Sequence, residues 1–319
     1  MAADRIPLVC VCGPTASGKT ALAVALAERF GGEVVSCDSM QVYRTMDIGT
    51  AKPTLEEQHG IPHHLIDCVD PGSPFSVAEY VHLAGQAVKG VLARGHLPVL
   101  AGGTGLYADS LLYGIDFTLH TEDASVRNRL EQELAVQGAA ALYRRLCERD
   151  PQAAQTIHPN NKVRLVRALE MMEVSGKTLS QLKVESRKAP SPYRVLRLGL
   201  SFRDRQVLYR RIDLRVDEMM RQGLLDEAFR LYSSGFGKTA SGAIGYKELF
   251  AYFGGFDTLE HCVGAIKQAT RRYAKRQLTW FRRNPDTHWL LMDEYENTAE
   301  LYEAAFRLTE SFLREVQEA

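Results

Sequence analysis

Gly13-Pro14-Thr15-Ala16-Ser17-Gly18-Lys19-Thr20 follows the spacing GxxxxGK[ST], and no other feature constrains the fold of this chain as strongly. The glycines let the backbone curl so that several N–H groups point inward. Such a loop requires a strand before it and a helix after it, whose N-terminal partial charge adds to the field. The flanks supply both. Pro7–Cys12 (PLVCVC) reads as a short buried strand, and Thr20–Phe30 (TALAVALAERF) reads as a helix. Lys19 is placed to neutralise phosphate oxygens, and the Thr20 hydroxyl to hold Mg²⁺. The spacing dictates a phosphate ligand but not its carrier. A nucleotide such as ATP is the default occupant, and any diphosphate satisfies the same donors.

Further buried strands are expected at Glu33–Cys37 and Pro98–Ala101, with others at Val195–Phe202 and His288–Leu291. Helical stretches such as Ser76–Arg94 lie between them, so the class is α/β with a parallel sheet. From Phe117 to Lys188 no strand is legible. Asp123–Val136, Ala139–Arg149 and Asn161–Ser175 read as helices punctuated by Pro151 and Pro159. The expected organisation is a core formed by 1–116 and 191–319, interrupted by a mostly helical insertion over 117–190. Lys188-Ala189-Pro190-Ser191-Pro192 is the expected return linker.

Ligands of a parallel sheet bind beyond the carboxyl ends of its strands. Two more loops should reach that edge: Asp38-Ser39-Met40-Gln41-Val42-Tyr43 and Gly102-Gly103-Thr104-Gly105-Leu106-Tyr107. A carboxylate at Asp38 can hold a metal or accept a proton, or it can serve as a turn cap. Thr104 can donate to a phosphate oxygen, or simply close a turn.

With 45% apolar and 24% charged residues the 319-residue chain has the composition of a globular protein. No run is long and apolar enough for a membrane span, and Met1–Arg5 leave no room for a signal peptide before the first strand. Six scattered cysteines argue against a disulfide or zinc framework. A cytoplasmic monomer with no membrane association is the expectation. A formal net charge of zero hides an asymmetry. Lys267, Arg271, Arg272, Lys275, Arg276, Arg282 and Arg283 lie in a stretch without one acid, while nine acids and two bases follow from Asp286. Arg272, Arg276 and Arg283 share one helical face in this reading, and Tyr273 and Trp280 another. Such a helix suits a polyanion larger than one diphosphate, unless it is a solvated face balanced by the acidic tail. Lys162-Val163-Arg164-Leu165-Val166-Arg167 begins a second basic helix. Two such helices could grip two parts of one folded nucleic acid.

These segments together resemble the tRNA dimethylallyltransferases, or tRNA isopentenyltransferases. The resemblance rests on the phosphate loop, Asp38–Tyr43, Met46–Pro53 (MDIGTAKP), Gly102–Tyr107, His158–Asn160, Gly245–Glu248 and Lys275–Arg282, nearly the length of the chain. It implies a P-loop NTPase-like α/β core with a helical insertion that grips the anticodon arm of tRNA, and it implies Mg²⁺. The implied reaction moves the dimethylallyl group of dimethylallyl diphosphate to N6 of the adenosine 3′ to the anticodon, in tRNAs reading codons that begin with U. The target base is flipped into a channel and meets the diphosphate from the other end.

Carried over by residue, Asp38 accepts the proton of the adenine amine, while Thr104 and Arg215 join Lys19 on the diphosphate. Met40 and Gln41, beside Ser39, read the base edge. The implied tRNA-gripping segments are Lys162, Val163, Arg164, Leu165 and Val166; Ala243, Ile244, Gly245, Tyr246, Lys247 and Glu248; and Arg276, Gln277, Leu278, Thr279, Trp280, Phe281, Arg282 and Arg283. Eukaryotic members add a zinc finger, and no cysteine follows Cys262, so the bacterial form is expected. The acidic end reads as a solvated final helix. Without the resemblance, a small-molecule kinase leads. An isopentenyltransferase acting on free adenine nucleotides needs neither basic helix nor insertion. A tRNA-binding chaperone would not need intact Lys19, Thr20 and Asp38.

Overall fold

The computed structural model describes residues 5–117, 123–186, 190–235, 237 and 239–318. Lys188 and Ala189 of the expected linker, like Met1–Asp4, lie outside the described residues. The chain forms two compact units, Met1–Leu112 with Pro192–Ala319, and Tyr113–Ser191.

The first unit begins with β1 (Ile6–Cys12), α1 (Lys19–Phe30), β2 (Gly32–Ser36), β3 (His63–His64), α2 (Val77–Ala93), β4 (Leu97–Gly102) and α3 (Gly105–Leu112). The second unit holds α4 (Ala124–Gln137), α5 (Ala139–Arg149), α6 (Pro151–Ala154), α7 (Lys162–Ser175) and α8 (Leu179–Glu185). The first unit resumes with β5 (Tyr193–Ser201), α9 (Arg205–Arg221), α10 (Leu224–Ser234), α11 (Phe250–Phe253), α12 (Leu259–Phe281), β6 (Thr287–Leu291) and α13 (Thr298–Gln317).

The six strands form one parallel sheet in the order β3-β2-β4-β1-β5-β6. The central strands β1 and β4 are continuously apolar because helices cover both faces. Along β1, Leu8, Cys10 and Cys12 join one core cluster with Tyr80 and Val88 of α2. Val9 and Val11 join the other, with Leu22 and Leu26 of α1 and with Leu301, Ala305 and Phe312 of α13. The final helix is therefore amphipathic and packed on the sheet, not solvated all round. Its acids face outward, where Glu310 pairs with Arg29 and Glu315 with Arg194.

β3 escaped the sequence reading because two histidines make no apolar run. It pairs with Val34 and Val35, and His64 Nε2–H donates to the buried Glu33 carboxylate at 2.6 Å. Gly105, Leu106 and Tyr107 belong to the first turn of α3 rather than to a loop.

The second unit has no strand among its described residues. Its core comprises Leu130, Leu142, Leu146, Leu165, Leu169 and Met172, contributed by α4, α5 and α7. Buried Glu170 is neutralised there by Arg127 and Arg167.

Candidate active site

A cavity of about 320 Å³ opens at the carboxyl ends of β1, β2 and β4, beside the point where the sheet reverses its winding. The phosphate loop forms one wall. Asp38–Gln41 after β2 and Ala101–Gly103 after β4 form the next. Residues 242–247 and the facing sides of α9 and α12 close it.

The phosphate loop is held from several directions. Gly13 has φ 145°, and a Cβ there would lie 2.4 Å from the Leu200 carbonyl oxygen, so only glycine fits. Ser17 Oγ donates to the Pro14 carbonyl at 2.8 Å. Arg211 Nε donates to the Ala16 carbonyl at 3.0 Å, supporting Ala16 at φ 63°. The Gln277 side chain accepts the Thr15 N–H at 2.8 Å and donates to the Gly103 carbonyl at 2.9 Å. One loop N–H is thus engaged with Gln277 instead of pointing at a ligand.

Lys19 and Arg215 both face the cavity. Lys19 donates to the Pro14 carbonyl at 2.6 Å, and Arg215 Nη1 reaches Thr15 Oγ1 at 3.5 Å. Burial, and then the charge of Arg215, pulls the Lys19 pKa down to about 8. Arg215 is likewise lowered from the usual arginine value, chiefly by burial. Two partly buried cations lining one cavity are poised for an anion. The Thr20 hydroxyl side of the loop lines the same space.

Asp38 is a turn cap that keeps one carboxylate oxygen unengaged. Its Oδ1 accepts the Met40 N–H at 2.9 Å and the Gln41 N–H at 3.4 Å, making the turn cap. Its Oδ2 accepts no hydrogen bond among the described residues, and the side chain lines the cavity. Thr104 links the second and third loops. Its Oγ1 accepts the Ser39 N–H at 3.0 Å and its own N–H donates to the Cys37 carbonyl at 3.1 Å. Gln41 departs from expectation. Its amide accepts from Ser36 Oγ at 3.0 Å and donates to the Ala51 carbonyl at 3.1 Å, which leaves it bracing Thr50–Ala51 rather than free to read a base edge.

The expected tRNA-gripping segments separate by burial, because successive helical or turn positions cannot all face one partner. Lys162, Val163 and Arg164 are exposed on α7, whereas Leu165 and Val166 are buried in their own unit's core. Ala243, Ile244, Gly245 and Lys247 line the cavity, but Tyr246 is wholly buried under it. The Tyr246 hydroxyl donates to Glu227 at 2.6 Å. On α12, Arg276 and Thr279 are exposed, as are Arg282 and Arg283 just beyond it, while Gln277 and Phe281 are buried. Trp280 donates its Nε1–H to Asp109 at 2.7 Å, and Leu278 packs with Phe202 and Leu208.

α12 ends at Phe281, so Arg283 leaves the expected helical face and stacks 5.0 Å from the centre of the Trp280 ring. Arg276 lies 5.6 Å from the Tyr273 ring centre, so cations and aromatics share a face instead of dividing between two. Asp217 neutralises Lys267, and Asp213 neutralises Arg271. Arg272, Lys275, Arg276, Arg282 and Arg283 have no acidic partner among the described residues.

Two residues that hold the site together are not among the sequence-based candidates. Glu227, buried on α10, accepts the N–H groups of Asp47, Ile48 and Gly49, each at 3.0 Å, as well as the Tyr246 hydroxyl. Its three backbone partners lie some 180 residues away, so no local pattern marks it. Arg211 stands one helical turn before Arg215, and that i, i+4 spacing was an available signal.

Among the described residues no group of three or more His, Cys, Asp or Glu is gathered for a metal, and all six cysteines are free. Mg²⁺ needs few protein ligands when phosphate oxygens supply the rest, and Thr20 and Asp38, which both line the cavity, are oxygen donors of that kind. Among the described residues no helix is long and apolar enough to cross a membrane.

The sheet, the loop and the paired cations define an α/β enzyme of the P-loop type acting on a phosphorylated substrate. A family model described as IPP transferase matches residues 41–284, and one described as isopentenyl transferase matches residues 6–68. The tRNA dimethylallyltransferase of Thermoanaerobacter sp. (strain X514) is 46% identical over 299 residues, 93% of this chain and 95% of that protein. That of Bacillus cytotoxicus is 48% identical over 93% of this chain and 94% of its own. The crystal structure of a full-length tRNA isopentenylpyrophosphate transferase from Bacillus halodurans superposes with TM-score 0.74 at 42% identity, covering 99% of each chain. A eukaryotic dimethylallyltransferase captured acting on tRNA gives TM-score 0.83 at 28% identity, covering 97% of this chain and 80% of its own. The chain belongs to the IPP transferase family, alongside these tRNA dimethylallyltransferases, and is a prenyltransferase.

Proposed function

We propose that this enzyme transfers the dimethylallyl group of dimethylallyl diphosphate to N6 of the adenosine 3′ to the anticodon, in tRNAs reading codons that begin with U. The observation that carries the reading is a single cavity holding both ends of that reaction. Lys19 and Arg215, two partly buried cations in no ion pair among the described residues, stand at one wall, and the free Oδ2 of Asp38 stands in the same space.

In this mechanism the phosphate loop, Lys19 and Arg215 bind the diphosphate of the prenyl donor. The N6 lone pair of adenine attacks C1 of the dimethylallyl chain. The C1–O bond breaks, and its electron pair leaves with the diphosphate. Asp38 Oδ2 takes the N6 proton as the C–N bond forms, since an exocyclic amine is a weak nucleophile. Lys19, Arg215 and Thr104 stabilise the charge growing on the leaving group. Thr104 does so after its hydroxyl turns from Ser39. The Thr20 hydroxyl would hold Mg²⁺, which would supply further neutralisation of that charge.

The anticodon arm is gripped by the exposed members of the basic segments: Lys162 and Arg164 of the insertion, and Arg276, Arg282 and Arg283 at the end of α12. Such contacts position RNA through its phosphates. Flipping the adenosine costs a few kcal/mol, roughly, which contacts inside the cavity must offset.

The test is mass spectrometry of unmodified tRNA incubated with the protein, dimethylallyl diphosphate and Mg²⁺. The expected product carries one added C5H8 on the adenosine next to the anticodon. ATP hydrolysis with no prenyl group reaching tRNA would return the phosphate loop to its default occupant and sink this reading.

A further inference from the structure

α9 and α12 frame a second cavity, of about 380 Å³, distinct from the one just described. α9 lines it with Arg205, Leu208 and Tyr209, and α12 with Lys275 and Leu278, continued by Arg282. The spacings i, i+3, i+4 and i, i+3, i+7 put each set on one face. The pairs Asp213–Arg271 and Asp217–Lys267 show that the two helices run antiparallel. This cavity therefore sits at the start of α9 and the end of α12, while Ile212 and Arg215 line the reaction cavity farther along. From Tyr209 to Arg215 is about 9 Å along the helix axis.

The base of the cavity is apolar and its rim is cationic. Leu208 is buried, and Phe202 packs beside it. The Arg205 guanidinium lies 5.7 Å from the centre of the Tyr209 ring. Arg203, at the margin, is neutralised by Glu294. Arg205, Lys275 and Arg282 have no acidic partner among the described residues. Three like charges around one concavity repel, and a phosphate is the ligand that relieves this. An aromatic ring over an apolar floor offers a stacking platform to a base. The volume suits a ligand of nucleotide size.

We propose that this cavity is a second RNA subsite, taking one phosphate and its adjoining base from the tRNA, at a nucleotide other than the target adenosine. The proposal rests on tRNA being the substrate. Its test is the affinity of unmodified tRNA, measured without prenyl donor across a salt series. Arg205 is exposed and makes no hydrogen bond among the described residues, so Arg205→Ala is not expected to disturb folding. That variant should lower the slope of log affinity against log salt by about one, and Arg205→Lys should restore it. Tyr209→Leu should weaken binding about fivefold or more at every salt concentration without changing the slope, and Tyr209→Phe should bind as the wild type does. Wild-type affinity and slope in both Arg205→Ala and Tyr209→Leu would overturn the subsite while leaving the prenyl-transfer reading standing. Tight tRNA binding by the wild type without prenyl transfer would do the reverse, and no tRNA binding at all would overturn both.

Discussion

Lys19 shows how a motif residue acquires a property its motif does not contain. The spacing places an ammonium at a phosphate; the fold adds burial and Arg215, and together they bring its pKa to about 8. At pH 7 the group is mostly charged, and it loses its proton as pH rises through 8. A bound diphosphate favours the charged form and raises that pKa, so binding takes up a proton in this range. Diphosphate affinity should therefore fall above pH 8, by up to about tenfold per unit, and calorimetric titration should show the proton uptake. Lys19→Arg should bind with a flat profile over the same range, since arginine does not titrate there. A flat profile in the wild type would remove Lys19 from the diphosphate.

Asp38 calls for a different substitution than its motif suggests. Alanine would remove the cap on Met40 and Gln41 together with the free oxygen. Asp38→Asn keeps an acceptor for the turn and abolishes the base. Transfer should fall by about 10²–10⁴ while tRNA binding changes little. Weakened binding with normal turnover at saturating tRNA would count against the proton-accepting role.

Elements were legible where a local pattern generates them. β1 and β4 are apolar runs, β2, β5 and β6 each contain a short one, and α2 carries a capping box between Ser76 and Glu79, so each announces itself over a few residues. β3 does not, because its edge position comes from pairing with β2 and from Glu33, and neither is local. α12 was legible as a basic helix but not as a structural strap. Gln277 ties Thr15 to Gly103, joining the loops after β1 and β4, and a helix pattern cannot reveal which buried polar side chain will find distant backbone partners. Gln277→Ala should cost about 2 kcal/mol in unfolding free energy, since it leaves a loop N–H and a carbonyl unpaired. Its kinetic signature should be a raised KM for dimethylallyl diphosphate with little change in tRNA affinity. Loss of tRNA affinity alone would return Gln277 to the RNA-contact set.

At the scale of the whole molecule, a chain of zero formal charge keeps an uncompensated basic surface because its acids are engaged elsewhere. Glu310 and Glu315 pair with Arg29 and Arg194, not with α12. Asp213 and Asp217 neutralise two of the seven bases and leave the remainder for a polyanion. The double substitution Arg276→Ala with Arg283→Ala should therefore lower the salt slope of tRNA affinity by about two, read from binding isotherms over a salt series. An unchanged slope would place the RNA away from α12.

The sequence by itself determined the strand–loop–helix unit at Gly13–Thr20, the parallel α/β class and the helical middle, because spacing, periodicity and the conformational freedom of glycine are local properties. It also placed Asp38 among the candidates, and the family resemblance added Arg215. Only the tertiary structure decided which motif side chains are left free in the cavity and which are engaged in bracing its walls and floor. Gln41, Tyr246 and Gln277 are supports, and Glu227 and Arg211 join them from far along the chain. The reason is physical: a buried polar group must find a partner wherever the packed chain brings one, and sequence distance places no limit on that choice.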